Sequence, residues 1–177
     1  MFAELDRLLE PAALAARAWR LRAETPLRDW PRLAELNPGG AEAGESVRLD
    51  LAWRGDESGV ALLEGELEVK LRCICQRCLE EMELDLRAQP KLYFGGAEEP
   101  GAAAAADGFE LCELEPGVTL RQLLEDEALL SLPVFPVHER SEDCGALAAK
   151  LAELEPARSG DKSSSPFAVL AELKRKN

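Results

Sequence analysis

The sequence predicts an α+β fold: an antiparallel β-meander packed by a few helices, with a zinc-knuckle-like Cys-x-x-Cys turn and a flexible C-terminal tail. Three observations carry this prediction. Apolar and polar residues alternate along three stretches between residues 46 and 87, the period of strands with one wet face. Cys75 and Cys78 occupy the connection between the second and third stretches. A capped helical pattern begins at Thr119, and beyond it lie the single histidine, His138, and Cys144.

A chain of 177 residues suits one ordinary domain with its own core, expected over residues 1–154. The 34 acidic residues outnumber the 21 basic ones, for a net charge of -13. That charge repels phosphate backbones and favours basic protein partners, although excess acid also simply keeps a protein soluble. Five cysteines leave one thiol over from any disulfide framework, which fits a reducing compartment. No apolar run is long enough for a spanning helix. Glu4, Asp6 and Glu10 stand where a secretory leader carries positive charge. The expectation is a cytoplasmic protein with no membrane contact.

Residues 1–40 read as a helical part with interruptions. Pro11 suits a helix first turn, where its missing N–H costs nothing. Trp19 and Leu21 alternate with Arg20 and Arg22, which leaves a strand open there. Asn37-Pro38-Gly39-Gly40 is a turn. The first meander strand alternates Val47, Leu49, Leu51 and Trp53 with polar neighbours. The second places Leu67, Val69, Leu71 and Cys73 on one side and Glu66, Glu68, Lys70 and Arg72 on the other. The third carries Met82, Leu84 and Leu86, with a continuation through Leu92, Tyr93 and Phe94 beyond Pro90.

Residues 95–108, with five consecutive alanines, read as a low-complexity loop in which the alanines can form a helical turn. Phe109, Leu111 and Leu114 suggest a short strand. Thr119 and Gln122 match a capping box, and Leu120, Leu123, Leu124 and Ala128 share one face of the helix that follows. Pro133 and Pro136 impose an extended path that delivers His138 and Cys144 to the strand turn. Residues 145–154 suit a short helix. Residues 155–177 read as a linker and a short C-terminal helix ending in Lys174-Arg175-Lys176.

Cys75, Cys78, His138 and Cys144 together supply the donors of a structural Cys3His zinc site. Two other readings stand beside it. A redox Cys-x-x-Cys normally sits at a helix N-terminus, and here it joins two strands. The thiols can also be simple buried residues, or remnants of a lost metal site. Cys73 lies in register with core residues and is set aside from the ligands, as is Cys112, which has no partner at ligand spacing. Glu125-Asp126-Glu127 reads as a solvated charge run, except that Glu127 can point inward and hold His138 in place by a hydrogen bond to its ring. The candidate contacts to RNA or a partner are Arg72, Arg77, Lys174, Arg175 and Lys176. No nucleophilic triad or phosphate-binding glycine loop is present, so no enzyme is expected.

Cys75-Gln76-Arg77-Cys78-Leu79, Leu124-Glu125-Asp126-Glu127, Leu132-Pro133-Val134-Phe135-Pro136-Val137-His138, Cys144 and the ending from Pro166 to Lys176 resemble the YceD family, the large ribosomal RNA subunit accumulation proteins. The resemblance spans residues 47–176. It implies a bacterial cytoplasmic factor in ribosome biogenesis, needed for accumulation or processing of the 23S ribosomal RNA. It further implies a link to ribosomal protein L32 or another component of the large-subunit precursor. Some relatives carry a cysteine in place of His138, an exchange zinc tolerates. Within this frame a non-catalytic binder of a basic ribosomal protein or precursor particle is the first reading. A direct RNA-binding module and an RNA-processing enzyme are the alternatives.

Overall fold

One sheet organises the molecule, and its longest strand pairs with one strand along one edge and with two in succession along the other. The computed structural model describes residues 2–42, 44–56, 59–95 and 102–154. Strands β1 (Arg20–Pro26), β2 (Ser46–Gly55) and β3 (Ala61–Ile74) pair antiparallel in that order. The second half of β3 pairs with β4 (Glu81–Ala88), from Leu67↔Ala88 to Ile74↔Glu81. Its first half pairs with β5 (Lys91–Phe94), and β6 (Glu110–Leu111) adds a short parallel edge to β5.

The break between β4 and β5 falls at Pro90, whose ring supplies no N–H to the ladder. Its carbonyl still accepts from the Gly65 N–H at 3.2 Å. Gly65 in turn presses against β2: a Cβ there would lie 2.2 Å from the Asp50 carbonyl oxygen and 2.8 Å from Leu51 Cα. Only glycine permits that approach of two backbones.

The inward face is the one the alternation marks. Val47, Leu49, Leu51 and Trp53 of β2 and Leu63, Leu67, Val69 and Leu71 of β3 are buried in one core with Leu86 and Ala88. Fully burying one such leucine contributes roughly 1.5–3 kcal/mol. Helix α4 (Leu120–Leu130) covers this face through Leu120, Leu123, Leu124 and Ala128, and its capping box of Thr119 and Gln122 forms as expected. The opposite face is wet, crossed by ion pairs such as Arg22–Asp50 and Lys70–Asp85.

The N-terminal part departs from a helical reading. Helices α1 (Pro11–Ala16) and α2 (Pro31–Ala34) are short, and β1 lies between them. The edge of β2 offered a ladder of free backbone groups, and the Leu21 alternation was suited to fill it. Of the alanine run, the helical turn left open within the loop is what forms: Ala102–Ala106 make helix α3. Ala104 packs with Val60, Leu62 and Phe109 in a small second cluster.

Two charged residues of α4, Arg121 and Glu125, are buried, the second of them within the run expected to be solvated. Arg121 donates to both carboxylate oxygens of Asp6, at 2.7 and 3.0 Å, with its guanidinium over the Trp30 ring. Glu125, 2 % exposed, accepts from the Arg32 N–H at 2.9 Å, at the start of α2. The neighbouring Asp126 pairs with the Arg32 side chain. The acidic run thus holds the N-terminal part against the sheet. Past α4 the chain runs without helix or strand to a 3-10 turn at Ser141–Cys144, then enters α5 (Gly145–Leu154). The tail expected at 155–177 lies outside the described residues.

Candidate metal centre

The centre begins where β3 runs out. After Ile74 the chain makes a tight turn in which the Leu79 N–H donates to the Cys75 carbonyl at 2.8 Å and the Cys75 N–H to Glu80 at 2.9 Å. Closing this turn places Leu79 at φ +63°, the left-handed region. For a residue with a side chain that conformation costs roughly 1–2 kcal/mol. The turn brings both sulfurs to one side, and the Arg77 N–H points at Cys75 Sγ from 3.4 Å.

The proline segment supplies the other half. The Gln76 N–H donates to the Pro136 carbonyl at 2.8 Å, which fixes the proline segment beside the turn. His138 follows two residues later. Its Nδ1 lies 3.6 Å from Cys78 Sγ and 3.6 Å from Cys144 Sγ. All four ligand atoms of Cys75, Cys78, His138 and Cys144 fall within 4.8 Å of one another. With Zn–S near 2.3 Å and Zn–N near 2.0–2.1 Å, a tetrahedron has S···N edges of about 3.6 Å. The two S···N distances at His138 meet that value, so the donors fit zinc in both type and spacing. Among the described residues no other group of such donors gathers.

Cys75 and Cys144 are buried, Cys78 and His138 half-buried. Burial pushes the Cys75 thiol up, but N–H groups of Cys78, His138 and Arg77 and the Cys78 thiol outweigh it and hold Cys75 at about 6. Burial pushes Cys78 the other way, above its usual range, helped by the Cys75 and Cys144 sulfurs. The Cys75 sulfur is thus the one held ready as a thiolate, while the neighbouring Cys78 sulfur is held back from becoming a second. The Arg77 guanidinium lies 3.7 Å from Cys144 Sγ and 3.2 Å from Ser141 Oγ. Gly145, at φ +51°, lets the chain turn from Cys144 into α5 close to the Glu80 carboxylate, which would lie 3.0 Å from a Cβ at that position.

The remaining candidates are not brought to this cluster. Arg72 is tied to Glu42 at 2.7 Å, to Glu45 at 3.1 Å and to the Gly40 carbonyl at 3.0 Å, so it fastens these three residues to the sheet. Glu127 is half-buried, and burial with the nearby Glu110 and Asp126 raises its pKa. Among the described residues no hydrogen bond or ion pair joins it to His138. The inward carboxylate of the run is Glu125. Its i,i+4 relation to Arg121 was the available signal, because both flank the Leu124 stripe. Cys73 and Cys112 are half-buried and outside the cluster, each thiol pushed up by burial. Lys174, Arg175 and Lys176 lie outside the described residues.

Four protein donors would fill a tetrahedral shell around a bound zinc, with no position left for a substrate or a reactive water. The arrangement suits a clasp between the β3–β4 turn and the segment after α4.

The family model described as large ribosomal RNA subunit accumulation protein YceD matches residues 63–174. The chain belongs to the YceD family. A YceD relative, the large ribosomal RNA subunit accumulation protein YceD of Haemophilus influenzae, is 28 % identical over 144 residues, covering 73 % of this chain and 75 % of its own. No solved structure gives a significant match. All four donors fall inside the stretch matched by the YceD model.

Proposed function

We propose that the chain is a cytoplasmic, non-catalytic factor for assembly of the large ribosomal subunit. It supports accumulation or processing of 23S ribosomal RNA by binding a ribosomal protein, L32 or another basic one, or a precursor particle. Zinc held by Cys75, Cys78, His138 and Cys144 is structural in this reading. The YceD match carries the process. The net charge of -13 favours protein contact over RNA contact, since a phosphate backbone is repelled by the same surface that attracts basic proteins. Two of the arginines that an RNA-binding reading needs, Arg72 and Arg77, have their guanidinium groups engaged within the molecule.

The test has a cellular arm and a binding arm. Cells lacking this chain are scored for the ratio of 23S to 16S ribosomal RNA, then complemented with the wild type or with Cys75→Ser. Restoration by the wild type alone supports the reading. In the binding arm, salt-resistant affinity for naked 23S RNA favours the RNA-binding alternative, because counterion-driven contact weakens steeply with salt. Ribonuclease activity that copurifies with the chain and vanishes on Glu127→Ala favours the enzyme.

A further inference from the structure

The segment that carries His138 to the cluster also presents large apolar side chains to water. Val134 is 85 % exposed and Phe135 72 %, and Leu130, at the end of α4, is 80 % exposed. Across the Gln76–Pro136 hydrogen bond lies the β3–β4 turn, where Leu79 is 72 % exposed. The two segments are joined again through Cys78 and His138. Leu79 on one side and Val134 and Phe135 on the other thus stand exposed on the two segments that the clasp joins, with Leu130 exposed at the end of the helix that leads into the second. Isolated surface leucines are ordinary, but a grouping that includes an aromatic is the usual form of an interaction surface.

Leu79 adds an independent observation. Its left-handed backbone would be better served by glycine or asparagine. A leucine there gains no burial in return, since its side chain stands in solvent. Strain held by an exposed side chain points to use of that side chain.

Charge selects the occupant. Glu80 and Glu81 flank the turn, and Glu139 and Glu142 follow the histidine, all exposed. Arg140 is paired with Asp143, and Arg77 is turned to the thiols. Apolar side chains on segments that also carry these exposed carboxylates repel nucleic acid and a second copy of this acidic chain alike. They attract a basic polypeptide that carries an apolar side chain of its own.

We propose that Leu79, Leu130, Val134 and Phe135 form the docking surface for a basic polypeptide, with Phe135 as the anchor and the clasp holding both halves in register. This rests on the assembly-factor reading above and names the surface that would serve it.

The probes are the basic proteins of the large subunit, each purified singly, titrated against the full metal-loaded chain by calorimetry. A 23S RNA fragment and sedimentation of the chain alone are run beside them. At least one protein is expected to bind, and Val134→Ser combined with Phe135→Ser to weaken it by about tenfold or more with metal content unchanged. Leu79→Asn is expected to weaken binding as well while raising the melting temperature, a pairing that a purely structural leucine would not give. Unchanged affinity in both variants places the partner elsewhere and overturns the surface, leaving the assembly-factor reading intact. Failure of every large-subunit protein to bind the wild type overturns both. RNA binding, or a dimer, that is abolished by Phe135→Ser assigns the surface to a different occupant and overturns the proposal.

Discussion

Removing the zinc assigned to Cys75, Cys78, His138 and Cys144 releases a constraint whose size follows from the chain itself. Cys78 and His138 are 60 residues apart and meet at the cluster. Cross-linking two points so separated removes loop freedom from the unfolded chain worth about 4 kcal/mol in the chain-entropy description. For a chain of this size, a loss of that magnitude lowers the melting temperature by about 8–16 °C. The assay is thermal unfolding followed by circular dichroism, with zinc measured by mass spectrometry on the same samples. It compares wild type before and after chelation with His138→Ala/Cys144→Ser. The chelated wild type and the double variant are expected to melt together, well below the loaded protein. Wild type purified without chelator yet holding less than about 0.2 zinc per chain, and melting with the variant, would refute the clasp.

Three further outcomes follow from individual contacts. Gly65→Ala drives a methyl group into the Asp50 carbonyl, so denaturant unfolding should show a loss of about 3 kcal/mol or more. Glu127→Gln should stabilise the protein at neutral pH. The native carboxyl titrates above its ordinary 4.5, chiefly because burial disfavours the charge, so the wild type loses stability as pH rises through that native value. The difference between the two proteins should vanish below pH 4.5, and reduced zinc retention in this variant would instead mark Glu127 as a support of His138. Arg77→Gln should weaken zinc retention by about 10–100-fold in chelator competition, with Arg77→Lys intermediate, because three thiolates and one zinc leave a net negative centre.

Much of the fold was legible because period-two alternation is a local signal. Each residue from Val47 to Trp53 and from Leu67 to Leu71 declares its face without reference to any partner. The capping box of α4 is equally local, as the hydroxyl and amide that reciprocate lie three residues apart. Strand β1 was less legible. Its seven residues became a strand because the edge of β2 was available, and nothing within Arg20–Pro26 states that an edge lies nearby. The same holds for Glu125, whose burial depends on the Arg32 N–H, a partner 93 residues away.

The sequence by itself determined the donor chemistry at the Cys-x-x-Cys turn: three thiols and one imidazole, divided between a strand turn and a proline-extended segment, with no second histidine to compete. Tertiary structure decided that these donors meet. Spacing along a chain bounds how far two residues can be apart, whereas the 3.6 Å edges at His138 depend on β3, α4 and the Gln76–Pro136 hydrogen bond all being in place. It also decided the fate of Arg77. Read as an exposed contact in a turn, it is folded back against Cys144 because a cluster of sulfurs is where a nearby guanidinium finds its lowest energy. The exposed surface at that turn is left to Leu79, whose conformation no one-dimensional pattern could disclose.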